Sequence, residues 1–154
     1  MRIFASARIA VLDTDPERRT ALCTALADLG MLQLLPAGAV EEARIHATGA
    51  PVDLCIVVAS GFARRELDGE SSLPPNPFDP ARTPAILIAA DLTRQTVKAA
   101  TAAGYRLVVP APVVPRILYR RIGSILQKVR RAGRIQAPEL APAPLVAAAE
   151  IHPD

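Results

Sequence analysis

The sequence predicts an α/β domain built on a doubly wound, five-stranded parallel sheet. Three observations carry this prediction. Residues 8–13, 53–59 and 84–90 are short apolar runs without polar alternation, as strands buried on both faces require. Stretches with apolar residues at three- and four-residue spacing lie between and after them. Gly and Pro punctuate the junctions. Strands that alternate with helices make a parallel sheet covered on both sides. Five strands and about five helices in about 130 residues fit the flavodoxin-like order 2-1-3-4-5.

Arg8 to Asp13 forms the first central strand and ends in an acid. Asp15-Pro16 supplies an N-cap followed by proline at the first helical position. Leu22, Cys23, Leu26 and Leu29 repeat at helical spacing, and Gly30 closes the helix. Met31 to Leu35 reads as the second strand, Pro36-Ala37-Gly38 as a turn, and residues 39–48 as a short helix ending at Gly49. Asp53 to Ala59 is the third strand and Pro84 to Ala90 the fourth. A helix is expected between these two. Residues 60–82 instead carry Gly, Ser, charges and Pro74, Pro75, Pro77 and Pro80, and only Phe62 to Leu67 suits a turn or two of helix. The third helix is therefore partly replaced by a Pro-rich loop. Residues 92–103 form a helix ended by Gly104, and 106–109 a last short strand. From Val114 onward Ile117, Leu118, Ile122, Ile125, Leu126 and Val129 mark the apolar stripe of the final helix. The domain spans 1–134. Residues 135–154, with Pro138, Pro142, Pro144 and Pro153, read as a disordered tail, within which Leu145 to Ile151 suits a short helix.

A chain of 154 residues forms one ordinary domain. Apolar residues make up 51% but aromatics only 3%, so the core must be built from Ala, Val, Leu and Ile. No uncharged apolar run reaches the roughly 18 residues a membrane helix needs, and no signal-peptide core precedes Arg8. A cytoplasmic location without membrane contact is expected. Cys23 and Cys55 sit inside apolar patterns and read as reduced, buried residues. His46 and His152 have no Cys or His neighbour at ligand spacing, so neither a metal nor a cofactor is called for. Both glycine-rich phosphate motifs are absent, Ser60-Gly61 lacks the nucleophile-elbow pattern, and no Ser-His-Asp or Cys-His set is found. The chain is expected not to be an enzyme. Its Ala-, Arg- and Pro-rich composition suggests a bacterium with a GC-rich genome.

Four segments occur in an informative order: Ile9-Ala10-Val11-Leu12-Asp13-Thr14-Asp15-Pro16, Val52-Asp53-Leu54-Cys55-Ile56-Val57-Val58, Thr83-Pro84-Ala85-Ile86-Leu87-Ile88-Ala89-Ala90, and Ala102-Ala103-Gly104 followed by Val109-Pro110-Ala111-Pro112. Over residues 7–131 the chain resembles the CheY-like receiver domain of two-component response regulators. That resemblance implies a chemistry. Two adjacent acids hold Mg²⁺, an Asp at the end of the third strand accepts the phosphoryl group, and a Ser or Thr hydroxyl and a Lys bind its oxygens. Carried over position by position, this chain keeps the first acid as Asp13. The second acid falls on Thr14, the phosphoacceptor on Val58, the hydroxyl on Ala89, the Lys on Ala111 and the switch aromatic on Val108. A one-residue slip does not restore the nucleophile, since residues 54–60 contain no Asp or Glu. Asp15 could assist Asp13 toward a metal, but Asp13 reads more simply as a helix cap or hydrogen-bonded strand end. The expectation is a pseudo-receiver that is not phosphorylated, either held in one conformation or switched by something other than phosphate.

Residues 92–138 contain ten basic groups and no acid, so one end of the domain should be electropositive. Arg106, Arg116, Arg120, Arg121 and Lys128 are the interaction candidates, with Arg116, Arg120 and Lys128 close to one face of the final helix. The family commonly pairs through the face made by its fourth helix, fifth strand and fifth helix, here parts of 92–103, 106–109 and 113–131. The Ala-rich stretch 99–103 suits either close helix approach across an interface or ordinary core packing. The reading is a signalling adaptor or regulator that contacts a protein partner, such as a kinase or another regulator, with a homodimer as a second form of pairing. The alternative is a sensor of an anionic ligand, a cyclic dinucleotide or nucleic acid, through the basic last helix. Against nucleic acid, few aromatics are present to stack on bases and no helix-turn-helix follows the domain.

Overall fold

Each central strand is apolar along its buried length because it feeds two cores. In the computed structural model, which describes residues 5–59, 73–90 and 92–139, the chain runs β1 (Arg8–Leu12), α1 (Pro16–Asp28), β2 (Gln33–Ala37), α2 (Val40–Ile45), β3 (Leu54–Val58), β4 (Ala85–Ala89), α3 (Arg94–Ala102), β5 (Leu107–Pro110) and α4 (Pro115–Glu139). All neighbouring strands are parallel, in the order β2-β1-β3-β4-β5. This is the predicted doubly wound topology. On one face Ile9, Val11, Leu54, Ile56, Ile86 and Ile88 meet Leu22 and Leu26 of α1 and Leu118, Ile122 and Ile125 of α4. On the other face Ala10, Leu12, Cys55, Val57, Ala85 and Leu87 meet Ala43 of α2 and Ala100 of α3. The period-2 alternation of strand side chains thus sorts large branched residues to one core and smaller ones to the other. Of the Ala-rich stretch, Ala100 goes to this second core.

The helix ends explain where the strands begin. After α1, Gly30 takes φ +116°, its N–H donates to the Ala27 carbonyl at 3.0 Å, and the Met31 N–H donates to Leu26 at 3.1 Å. That pair of bonds is a Schellman cap, and it makes Met31 the apolar residue that seals the helix against Leu26. Met31 therefore belongs to the cap, and β2 starts two residues later than the pattern suggested. Pro36 and Ala37 lie in the strand, not in a turn. β2 is an edge strand, and the Pro36 carbonyl accepts from His46 Nε2 at 2.8 Å, so its missing N–H falls on the side that owes the ladder nothing. α3 ends in the same way: Gly104 at φ +97° donates to Thr101, and Tyr105 donates to Ala100.

The Pro-rich segment is packed over its described part. Asn76 donates from Nδ2 to the carbonyls of Thr83 and Gly104 and accepts from the Phe78 N–H. The Tyr105 hydroxyl donates to Pro74, and Arg44 Nε donates to Pro77. Leu73 and Phe78 add to the second core. Residues 73–82 thus close the face of the sheet where a helix was expected. The one stretch that suited helix, Phe62 to Leu67, lies outside the described residues. At the other end, α4 continues to Glu139, through the first five residues of the stretch read as tail. Ala132, Arg134, Gln136 and Ala137 are good helix formers. Residues 140–154, including Leu145 to Ile151, lie outside the described residues.

Candidate functional site

The carboxyl ends of parallel strands are where doubly wound proteins bind and react. Here Leu12 pairs with Val57, Val58 with Ile88, and Ala89 with Pro110. This register brings Asp13, Val58, Ala89 and Ala111 to neighbouring strand ends. Thr14 follows Asp13 and is exposed.

Asp13 is the one fully buried acid among the described residues. A buried carboxylate must be paired and hydrogen-bonded. The local sequence arranges this. Asp15 caps α1 by accepting from the N–H groups of Glu17 at 3.0 Å and Arg18 at 3.4 Å. The first turn then carries Arg18 back over the strand end. Its Nε donates to Asp13 Oδ2 and its Nη2 to Oδ1, both at 2.7 Å. The Asp15 N–H adds a third bond to Oδ1 at 2.9 Å. Arg19 Nη1 donates to the Asp13 carbonyl at 2.6 Å. The hydrogen bonds to Asp13 raise the Arg18 pKa further above its ordinary range, with burial opposing them. Two-point pairing of this kind is the strongest ion-pair geometry available to a carboxylate.

The neighbouring strand ends are apolar. Val58 is 3% exposed and belongs to the core that Ala111 packs against. Ala89 is buried, and its carbonyl accepts from the Ala111 N–H at 2.9 Å. The Ala111–Pro112 peptide is cis. Val108 is half-buried on β5 beside the second core. Among the described residues no three His, Cys, Asp or Glu side chains gather to hold a metal ion. Cys55 is buried, and desolvation pushes its thiol up to about 12; Cys23 is half-buried and pushed up for the same reason.

A second candidate region lies at the β5 edge. Arg106, Arg116, Arg120, Arg121 and Lys128 are all exposed. Of the four on α4, Arg116 and Arg120 lie opposite its buried side, formed by Leu118, Ile122 and Ile125, and Arg121 and Lys128 flank it. Between α3 and β5 runs a shallow groove lined by Leu92, Val97, Thr101, Arg106, Leu107 and Val108. Sequence reasoning missed two features. Arg18 was not singled out, although an Arg in the first turn after Asp-x-Asp-Pro was the signal. The Asn76–Tyr105 clamp had no local signal.

Solved structures share this architecture. A pilus assembly-related protein of Burkholderia pseudomallei matches with a TM-score of 0.63 at 19% identity, over 82% of this chain and 94% of that one. A CheY-like response regulator receiver domain protein of Methanospirillum hungatei matches with a TM-score of 0.63 at 15% identity, over 82% and 98%. The chemotaxis response regulator CheY4 of Vibrio cholerae matches with a TM-score of 0.59 at 17% identity, over 77% and 98%. The fold is that of CheY-like receiver domains. At these identities the likeness is one of fold. No protein-family model matches the chain. No curated protein matches its sequence. Among the described residues no helix is long and apolar enough to cross a membrane.

Proposed function

We propose that this chain is a receiver-fold signalling regulator that is not phosphorylated and acts through protein contacts at its α3–β5–α4 face. The observation that carries the reading is the Arg18 fork on Asp13, set beside the apolar ends of β3, β4 and β5. In the reading's alignment Asp13 keeps the first metal-binding acid. Thr14, Val58, Ala89 and Ala111 stand for the second acid, the phosphoacceptor, the hydroxyl and the Lys. These residues do not fit Mg²⁺. Hard divalent cations of this size want several oxygen donors in octahedral geometry. Asp13 already accepts three hydrogen bonds, two of them from a guanidinium that supplies the positive charge a metal would bring. A valine cannot take a phosphoryl group. No catalytic step is therefore assigned, and the chain is read as a binding protein. Neighbours named as response regulators support the signalling class, and one named for pilus assembly extends the range of systems in which the fold serves.

The test is incubation with acetyl phosphate and Mg²⁺, followed by intact-mass measurement. The expected mass is unchanged. An acid-labile gain of one phosphoryl group would overturn the reading.

A second reading, a sensor of an anionic ligand on α4, draws on the exposed cations of that helix. A melting-temperature rise with a cyclic dinucleotide, lost in Arg120→Glu, would favour it.

A further inference from the structure

We infer that the α3–β5–α4 face docks an acidic surface of a different protein and does not pair two-fold with a second copy of this chain. The inference rests on the contact-surface half of the reading above and names the partner's chemistry.

Nine Arg and Lys side chains between Arg94 and Arg131 are exposed, and residues 92–138 contain no acid. Among the described residues the only ion pairs are those of Arg18 with Asp13 and Asp15. None of the nine has an ion-pair partner among the described residues. A two-fold pairing puts the same patch on both sides of the interface, so cation would meet cation. A head-to-tail pairing needs an acidic patch elsewhere on the chain. Of the eight described carboxylates outside α4, Asp13 is buried under Arg18, and the other seven are spread over the start and end of α1, α2, the approach to β3 and the loop before β4. Among the described residues these form no acidic block to match the nine cations.

The apolar part of the face decides the class of partner. Leu92 and Val97 are 48% and 43% exposed, yet they line a recess whose other side is Leu107 and Val108 on β5. A recessed apolar floor with Arg106 in its lining fits apolar side chains flanked by carboxylates, as on an acidic protein segment. A lipid surface calls for apolar side chains that protrude together; here Val114 and Ile117 are exposed at the start of α4, and Val129 stands about three turns further on. Single-stranded nucleic acid calls for exposed aromatics on which bases stack, whereas among the described residues Tyr105 is buried and Phe78 and Tyr119 are half-buried; duplex DNA, held through its phosphates, is separated by the titration below.

The full chain is tested in two measurements. Sedimentation at about 50 mM salt, where surface charge is least screened, reads its self-association. Titration then uses a synthetic helical peptide with Glu and Leu on one side, against duplex DNA and phosphatidylglycerol vesicles. A monomer is expected, with saturable binding to the peptide. Arg106→Glu and Lys98→Glu each weaken that binding roughly tenfold, and Arg82→Glu, off this face, leaves it unchanged. A dimer dissociated by Arg120→Glu overturns the inference. So does peptide binding that survives Arg106→Glu and Lys98→Glu together, or tighter binding of DNA or vesicles than of the peptide. A phosphorylatable chain would fail the acetyl phosphate test without moving any of these readouts, so the two failures are distinguishable.

Discussion

The guanidinium of Arg18 forks onto both carboxylate oxygens of Asp13, with Nε 2.7 Å from Oδ2 and Nη2 2.7 Å from Oδ1. Asp13 is fully buried while the Arg18 side chain is 41% exposed. The pair is thus unequal: among the described residues the buried acid has no other ion pair, and the arginine keeps water. Arg18→Ala leaves a buried carboxylate with only the Asp15 N–H. Because water can enter where the arginine stood, the expected destabilisation is about 1–3 kcal/mol, below the full cost of an isolated buried charge. Adding Asp13→Asn removes that charge and should recover part of the loss. Urea denaturation of the two single variants and the double variant measures the coupling. A coupling near zero would mean that Arg18 acts only through its aliphatic stem.

Two glycines are expected to respond oppositely to alanine. Gly104 holds φ +97° in the cap of α3, and an added Cβ would lie 3.3 Å from both Asn76 Cβ and Pro80 Cγ. Both the backbone conformation and the crowding resist a side chain. Gly104→Ala should lower stability by about 1–2 kcal/mol and loosen residues 73–82 against the sheet. Gly49 has open space around its Cβ direction and no positive φ. Gly49→Ala should be neutral or slightly stabilising, by up to about 0.5 kcal/mol, through a less flexible unfolded chain. Thermal melts of the two variants separate the cases; equal losses would show that the α3 cap is not the rigid point described.

Alkaline pH should unfold the protein earlier than its surface charges would. Burial raises the Cys55 thiol from its ordinary 9.0 to about 12, and raises the Tyr105 phenol as well. Above about pH 9 the unfolded chain releases the Cys55 proton while the folded chain keeps it. Stability is therefore intact below that pH and falls as pH rises toward 12. Cys55→Ala should lower stability at neutral pH through the lost packing but flatten the alkaline decline. Denaturant midpoints from pH 7 to 11 test this. A decline as steep in the variant as in the parent would assign the effect to Tyr105.

The central strands were legible because Ile9–Leu12, Leu54–Val58 and Ala85–Ala89 are covered on both faces, and burial of that kind leaves an unbroken apolar run. The edges were less legible. Met31 looks like a strand residue in sequence, yet its backbone N–H completes the cap of α1. Pro36 looks like a turn residue, yet an edge strand tolerates it on its outward side. In both cases the deciding bond reaches outside the local window. The same holds for residues 73–82, whose composition denies a helix but does not show that Asn76 and Tyr105 tie them down. Asp13 stood out as an acid at a strand end. Its partner did not, because Arg18 meets it only after Asp15-Pro16 turns the chain into α1.

On the proposed reading, placing an acid at the end of β3 tests whether the nucleophile position alone keeps the chain from being phosphorylated. Val58 is 3% exposed and sits among branched apolar side chains next to Ile88 and Ala111. In Val58→Asp the new carboxylate faces no free cation among the described residues, since the proposed alignment puts Ala111 where the family has Lys and the guanidinium of Arg18 is engaged by Asp13. The variant should therefore be destabilised by about 3 kcal/mol or more, as an unpaired charge or a protonated acid in an apolar site. It should remain unphosphorylated by acetyl phosphate with Mg²⁺. Adding Ala111→Lys supplies the cation and should recover stability, while Arg18→Ala frees Asp13 for a metal. Phosphorylation is expected only when all three changes are combined, because the nucleophile needs both a neutralising lysine and an open metal site. Phosphoryl transfer to Val58→Asp alone, read by intact mass, would show that the Arg18 fork yields to Mg²⁺ and that the site is closed by one residue instead of several.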